Sequence, residues 1–197
     1  GTSPKMIQKE SQTRMIGYAG MLMESFVAIM ALAAAVSLSP GIYFSMNTPT
    51  ATIEKLAGPE VVDAQPCYTN NDPDHHCEEL AATAVENLGV TDAHGNAMNP
   101  EWDSWDEAGN PTTYTGAGAL TRLAGDVGEP NVVSRTGGAP TLSVGMAHIL
   151  HQIGGGRTMM GFWYHFAILF EALFILTAVD AGTRAGRFML QDLLGVF

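Results

Sequence analysis

The chain has 197 residues, 46% of them hydrophobic and 15% charged, and a formal net charge of −11. The charge is uneven: between Glu54 and Glu129, fifteen acidic residues stand against two basic ones, a balance of −13, and the remaining residues sum to +2. Such an acidic segment excludes nucleic-acid binding through charge and is repelled by an anionic membrane surface. The sequence has no nucleophile elbow, phosphate-binding loop or metalloprotease helix, so we expect neither an enzyme nor a bound cofactor or metal.

Two apolar runs predict an α-helical integral membrane protein. Residues 15–38 form a run interrupted by Glu24, and residues 159–181 form a second run. At about 1.5 Å per residue, each is long enough to cross a hydrocarbon layer of about 30 Å as a transmembrane helix. A basic segment, 1–14, precedes the first run, and Lys and Arg are more frequent beside the termini than beside the connection. By the positive-inside tendency, both termini are cytoplasmic and the connection is outside.

The connection, residues 39–140, is predicted to be a largely irregular acidic loop on the extracytoplasmic side. Short helices are expected within it at 77–88 and 118–123. Two glycine-containing turns, at 92–96 and 106–110, are typical of tight hairpins and predict a β-hairpin. Their carboxylates leave calcium as an alternative, but the spacing does not match a twelve-residue calcium loop, which favours solvated turns.

Residues 141–156 form a short apolar segment that ends in glycines and is too short to span a membrane. Its position directly before a full span predicts a re-entrant or broken helix that lines a cavity, with an interfacial helix as the alternative. His148 and His151 lie three positions apart on one face of it. For these histidines we favour packing or capping at the membrane surface over a proton or ligand role.

The chain has two cysteines, Cys67 and Cys77, with His75 and His76 beside the second. The spacing does not match the common zinc-binding patterns. Because the loop is expected outside the cytoplasm, we favour a disulfide, with free thiols and a metal site as alternatives.

The candidate functional residues are the ionisable groups inside the second run and the first: Glu24, His165, Glu171 and Asp180. A charged side chain near the bilayer centre costs about 2.5–3.5 kcal/mol, so such groups face protein or a wet cavity. We predict that they couple substrate or ion movement. The alternative for Glu24 and Glu171 is a neutral carboxyl that makes one structural hydrogen bond, and for Asp180 an ion pair with Arg184 is slightly favoured.

Beyond the second run, residues 182–197 are predicted to be a cytoplasmic-side segment or the start of a further helix. Gly182 and Gly186 allow either close helix packing or a break. The chain opens on Gly1 without an initiator methionine and stops at Phe197 in apolar sequence. We therefore expect a fragment of a longer protein.

Three stretches resemble the bacterial carbon starvation protein A (CstA) family: GTSPKMIQKESQTRMIGYAGMLMESFVAIMAL, GGAPTLSVGMAHIL and, most specifically, MMGFWYHFAILFEALFILTAVDAGTRAGRFMLQDLLG. The resemblance implies a multi-pass protein of the bacterial inner membrane, linked to nutrient uptake under starvation and related to transporters of the broken-helix, inverted-repeat type. Members of the family are described as peptide transporters, and related members take up pyruvate. The resemblance assigns no function to the acidic segment around Cys67 and Cys77.

The combined prediction is part of a secondary active transporter, an ion-coupled symporter for peptides or for small carboxylates such as pyruvate. Its expected partners are the lipid bilayer, the small nutrient substrate, the coupling ion and the remaining transmembrane helices of the full-length protein. The alternative is a membrane-embedded nutrient sensor or assembly subunit that uses the outer loop as its ligand or partner site.

Overall fold

The computed structural model describes residues 7–58, 76–89, 91, 94–153 and 159–195. A 3-10 turn at Glu10–Gln12 leads into helices α1 (Thr13–Val36), α2 (Pro40–Asn47), α3 (Thr50–Ala57) and α4 (His76–Asn87). Strands β1 (Glu101–Trp105) and β2 (Pro111–Thr115) follow, and then helices α5 (Gly116–Val127), α6 (Gly138–Ile153) and α7 (Met160–Leu194). The chain is mostly helical, as predicted.

Helices α1 and α7 are the two described helices that are long and apolar enough to cross a membrane. Their 24 and 35 residues correspond to about 36 Å and 52 Å, against a hydrocarbon thickness of about 30 Å. Most of their large apolar side chains are exposed. Length, composition and exposure together favour a membrane location.

Helix α7 is longer than the sequence predicted. The second run was expected to end at residue 181, with 182–197 as a separate segment or a new helix, but α7 continues without a break to Leu194. Gly182 and Gly186 lie inside it. A glycine weakens a helix interior by about 1 kcal/mol relative to alanine, and the good helix formers on either side of these two offset that cost. Hydropathy predicted where the apolar run ends, whereas the helical hydrogen bonds continue beyond it.

The chain folds into two compact units, one of residues 1–32 and 169–197, and the other of residues 33–168, called here the loop-side unit. The loop-side unit has a continuous apolar core to which the connection, α6 and the first turns of α7 all contribute. Its largest fully buried side chains include Ile42, Met46, Ile53, Leu80, Leu120, Leu123, Val132, Val144 and Met160.

Where the structure describes it, the connection is not largely irregular. Helices α4 and α5 correspond in residue range to the two short helices predicted at 77–88 and 118–123, and α5 is longer than expected at both ends. Helices α2 and α3 were not predicted. The expectation was wrong because Ser39 and Pro40 both end the first apolar run and start α2. The Ile42 N–H donates to the Ser39 hydroxyl at 3.4 Å, and Pro40 occupies the first turn of α2.

Strands β1 and β2 form an antiparallel hairpin in which Trp102 pairs with Tyr114. The turn predicted at 106–110 joins them. The Asp106 N–H donates to the Asn110 carbonyl at 2.9 Å, and the Asn110 N–H donates to the Asp106 carboxylate at 2.8 Å. Hydrogen bonds to the Asp106 carboxylate from the Asn110 backbone N–H and then from its side-chain amide hold the pKa of that carboxyl below its usual value. Two residues of the other predicted turn, 92 and 93, lie outside the described residues.

Helix α6 is a core helix of the loop-side unit. Val144 and Ala147 are fully buried, and Asn47 of α2 donates from its side-chain amide to the Thr141 hydroxyl at 2.9 Å. The sequence treated this segment as separate from the connection, whereas α6 packs in the same core. Its placement as a re-entrant or interfacial helix stays a prediction, and residues 154–156 lie outside the described residues.

Helix α6 meets the end of α1 through a backbone contact. Gly145 lies directly against Ala34, so a Cβ built on Gly145 would overlap the Ala34 carbonyl group. Ala34 is 1% exposed. Because only a residue without a Cβ permits this approach, Gly145 attaches the end of α1 to the loop-side unit.

The variant Gly145→Ala should destabilise the protein by about 1–3 kcal/mol, because the added methyl group overpacks a contact made by backbone atoms. Gly125→Ala is the matched control, since Gly125 also lies within a helix and a Cβ there would meet nothing within 4 Å. Thermal unfolding of the full-length protein in detergent should give a lower Tm for Gly145→Ala only. Equal Tm values for wild type and Gly145→Ala would contradict the contact.

Candidate functional site

The first turns of α7 pack against the end of α5. A Cβ built on Gly161 would lie 3.5 Å from the Val127 carbonyl oxygen. One turn later, His165 Nε2 lies 3.9 Å from the Cβ position of Gly128, which ends α5 in the left-handed conformation with φ 76°. Tyr164, beside it, is buried in the core of the loop-side unit. His165 therefore lies at the loop-side end of α7, where its side chain is exposed.

Glu24 and Glu171 lie near the middle of the two apolar runs. Glu24 precedes Ala34 by ten residues, and Glu171 follows Gly161 by ten residues. At about 1.5 Å per residue, each carboxylate lies about 15 Å along its helix from that residue, against a hydrocarbon thickness of about 30 Å. Glu24 is exposed and Glu171 is partly exposed. Each apolar run thus carries one carboxylate well inside it.

Asp180 lies farther along α7 and is paired with Arg184, one helical turn away, whose guanidinium donates to the Asp180 carboxylate. Their side chains are 56% and 45% exposed, and a helical pair of this kind contributes about 0.3–0.5 kcal/mol. Asp180 follows Gly161 by nineteen residues, or about 28 Å along the helix. Of the four candidate residues, Asp180 is the one that the described part of the structure joins to a charged partner.

A polar network that the sequence analysis missed holds the hairpin on α5. The Asp126 carboxylate accepts hydrogen bonds from the Trp102 indole N–H at 2.9 Å and from the Ser104 hydroxyl at 2.6 Å. Arg122 Nε lies 3.2 Å from the same carboxylate and donates to Ser104 Oγ at 3.0 Å. The Asp126 side chain is 14% exposed. Its burial is tolerable because the charge is both paired and hydrogen-bonded.

The sequence carries two weak signals for this network. Trp102 and Ser104 alternate along a strand and so lie on one face of it. Arg122 and Asp126 are spaced i to i+4 and so lie on one face of a helix. Each pattern is common on its own, and only the packing of β1 on α5 joins them.

Four aromatic rings connect the hairpin to α6. The ring centroids of Trp102 and His148 are 4.9 Å apart, and Trp105 contacts His151 edge-on at 5.7 Å. The two imidazole rings are 5.5 Å apart. His151 is 5% exposed, and its Nδ1 lies 3.2 Å from the Ala147 carbonyl oxygen. These contacts support the packing role that the sequence favoured for the two histidines.

Cys77, in the first turn of α4, is fully buried and disulfide-bonded. Cys67 and His75 lie outside the described residues. The pairing of Cys67 with Cys77 therefore stays a prediction.

The sequence model of the family described as carbon starvation protein CstA matches residues 1–99 and 107–197. The chain belongs to this family. The match includes both apolar helices, and β1 falls between its two stretches. The resemblance found in the sequence is thereby confirmed.

The peptide transporter CstA of Escherichia coli (strain K12) is 50% identical over 196 residues, which are 100% of this chain and 22% of that protein. The pyruvate/proton symporter BtsT of the same organism is 48% identical over 197 residues, 100% of this chain and 24% of that protein. The peptide transporter CstA of Mycobacterium tuberculosis (strain ATCC 25618 / H37Rv) is 44% identical over 200 residues, 100% of this chain and 21% of that protein. The chain thus spans less than a quarter of the length of these relatives. No solved structure matches it.

The variant Asp126→Ala should weaken the attachment of the hairpin to α5 and destabilise the protein by about 1–3 kcal/mol, because it leaves the buried Trp102 and Ser104 donors without their acceptor. Asp103→Ala is the control: Asp103 is an exposed carboxylate on the same strand, bonded to the Thr113 hydroxyl at 2.6 Å. Hydrogen exchange of β1 and β2 in the full-length protein should accelerate much more in the first variant. Equal acceleration in both would show that the network does not hold the hairpin.

Proposed function

We propose that this chain is part of a secondary active transporter that takes up peptides, or small carboxylates such as pyruvate, in the carbon starvation response, and that a proton is the coupling ion. The family and the names of the relatives, peptide transporter and pyruvate/proton symporter, support this proposal. Within the chain, the observation that carries it is the position of Glu24 and Glu171 near the middle of the two apolar runs.

A carboxylate at mid-membrane depth is costly unless it is protonated, paired or hydrated, and ionised residues at this depth are typical of substrate and ion pathways. In transporters of the broken-helix type, substrate and coupling-ion sites lie near the bilayer midplane. Glu24 and Glu171 would bind protons there when the site is open to the loop side and release them to the opposite side. Protonation would neutralise each carboxylate for the step in which it is shielded from water.

His165 and Asp180 lie at the two ends of the same proposed path on α7. His165, exposed beside Gly128, lies where protons would enter from the loop side. Asp180 lies about 22 Å farther along the helix, where an ion pair with Arg184 is compatible with release to water. These positions support a role for His165 and Asp180 in proton entry and exit, while Arg184 holds the Asp180 carboxylate on its helix face.

The remaining helices of the full-length protein would cover the faces of α1 and α7 that are exposed in this chain, in a multi-pass protein of the bacterial inner membrane. Glu24 lines a groove on α1 together with Gly17 and Gly20, at each of which a Cβ would meet nothing within 4 Å. Small residues permit the close approach of another transmembrane helix. A helix packed in this groove would shield Glu24 from lipid.

The variant Glu171→Gln should abolish proton-driven accumulation of substrate by the reconstituted full-length protein while leaving substrate exchange intact. Glutamine keeps the size and hydrogen bonding of the side chain but cannot titrate. A purely structural hydrogen bond is worth about 0.6 kcal/mol in a membrane, so a structural role would leave uptake nearly normal. The measurement is uptake and counterflow of peptides and pyruvate in proteoliposomes with an imposed pH gradient.

Glu86→Gln is the control for this experiment, since Glu86 is an exposed carboxylate on α4 and its loss should leave uptake unchanged. Wild-type, pH-dependent accumulation by the Glu171→Gln protein would remove Glu171 from coupling and leave Glu24 as the remaining midplane candidate. A sensor or assembly subunit would behave differently, because it would tolerate both substitutions in the spans better than damage to the loop-side unit.

The orientation is tested by labelling cysteines introduced at single positions. A cysteine at Asn110, in the hairpin turn, should react with a membrane-impermeant thiol reagent added to intact cells, because the acidic connection is expected outside. A cysteine at Lys9 should react only after the membrane is permeabilised. The reverse pattern would overturn the orientation and place the hairpin in the cytoplasm.

A further inference from the structure

The hairpin contacts α6 through Trp102, Trp105, His148 and His151, a group called here the four-ring cluster. Two tryptophans of β1 face two histidines one turn apart on α6, with ring centroids 4.9–5.7 Å apart. Trp102 is 3% exposed and His151 is 5% exposed, while His148 and Trp105 are partly buried. Histidine is the side chain whose charge changes between about pH 5 and 8.

We propose that the four-ring cluster is a pH-sensitive contact that holds the hairpin on α6 while His148 is neutral and loosens when His148 is protonated. Protonation would put a positive charge on a partly buried ring whose centroid lies 4.9 Å from that of Trp102 and 5.5 Å from that of His151. A buried charge is costly unless it is paired and hydrogen-bonded, and the His148 Nδ1 is buried without a hydrogen-bond partner among the described residues.

The elements around the four-ring cluster, β1, β2 and α5, carry other charged or titratable groups. Strand β1 contributes Asp103, which is exposed and engaged with Thr113. Helix α5 contributes Asp126 and Arg122, which pair with one another on the indole N–H side of Trp102. Strand β2 contributes Tyr114, whose hydroxyl donates to the Trp105 carbonyl at 3.2 Å. Of these groups, Asp103 carries the charge that favours a protonated His148, and it is on the exposed side of the strand.

The sign of the pH dependence follows from His148. Burial, and then the neighbouring His151, lower its pKa below the ordinary value of 6.5, and Asp103 partly opposes this shift. The packed state therefore binds fewer protons than the open state. The contact has its full stability above about pH 6.5 and weakens as the pH falls below that value.

The attachments of α6 determine what such a change would affect. Its middle is attached to α1 through Gly145 and Ala34, and its first turns are attached to α2 through Thr141 and Asn47. These two contacts contain no titratable group, whereas the four-ring cluster lies at the other end of α6. Acidification on the side of the membrane that the hairpin faces would therefore release the hairpin from α6 and leave α6 attached to α1 and α2.

Hydrogen exchange of the hairpin amides in the full-length protein, in detergent at pH 7.5 and 5.5, tests this proposal without any transport assay. Rates are corrected with an unstructured peptide of the same sequence, because chemical exchange itself depends on pH. Wild type should lose protection in β1 and β2 severalfold at pH 5.5. His148→Phe keeps a ring against Trp102 but cannot be charged, so its protection should change much less.

Three further variants keep the test decisive. His94→Phe removes an exposed histidine outside the cluster and should behave like wild type. Asp103→Asn removes the charge that favours protonated His148 and should move the loss of protection to lower pH. His148→Gln replaces His148→Phe if the latter does not fold. Equal protection of the wild-type hairpin at both pH values, or an undiminished acid effect in the His148 variant, would overturn the proposal.

Discussion

The carboxylate of Asp126 organises the loop-side unit. It is a largely buried charge, and a buried charge without partners destabilises a fold by several kcal/mol. Its partners come from two elements: Trp102 and Ser104 from β1, and Arg122 from its own helix. An isolated two-stranded hairpin is marginally stable in water, so the hairpin depends on this attachment to α5. The hairpin in turn presents Trp102 and Trp105 to α6.

The same end of α5 also contacts α7. The residues after Asp126 are Val127, whose carbonyl lies beside Gly161, and Gly128, which lies beside His165. Gly145 meets the backbone of Ala34 at the end of α1. The last turn of α1 and the first turns of α7 are therefore part of the loop-side unit. At Gly145 only a residue without a Cβ permits the approach, whereas a Cβ at Gly161 would make an ordinary contact.

Glu24 and Glu171 lie near the middle of the two apolar runs. A proton-coupled transporter needs titratable groups that are shielded in one state and hydrated in another, and the midplane is the depth at which access can alternate between the two sides. The two other candidates on α7 differ from Glu171, because His165 belongs to the loop-side unit while Asp180 is paired with Arg184 on an exposed helix surface. The proposed coupling and the proposed pH-sensitive hairpin contact use different residues, so either can operate without the other.

The sequence alone determined the membrane character of the chain, the two apolar helices, the family and the position of the hairpin turn. Each of these depends on local information: the length of an apolar run, a string of family residues, or a turn that Asp106, Gly109 and Asn110 specify within five positions. Helix lengths were less well predicted. Hydropathy marks the end of lipid-facing sequence, and backbone hydrogen bonding carried α7 on to Leu194.

Tertiary structure decided which distant residues act together. The connection was expected to be irregular, but it is a helical unit with its own core. Apolar residues from separate segments, at 42, 80, 120 and 144, are buried together in that core, and no single segment indicates this by itself. Asp126 lies 24 residues from Trp102, and Gly145 lies more than a hundred from Ala34, so no local pattern could have joined them. The polar network and the four-ring cluster both arise from contacts between segments, which packing brings together and sequence spacing does not encode.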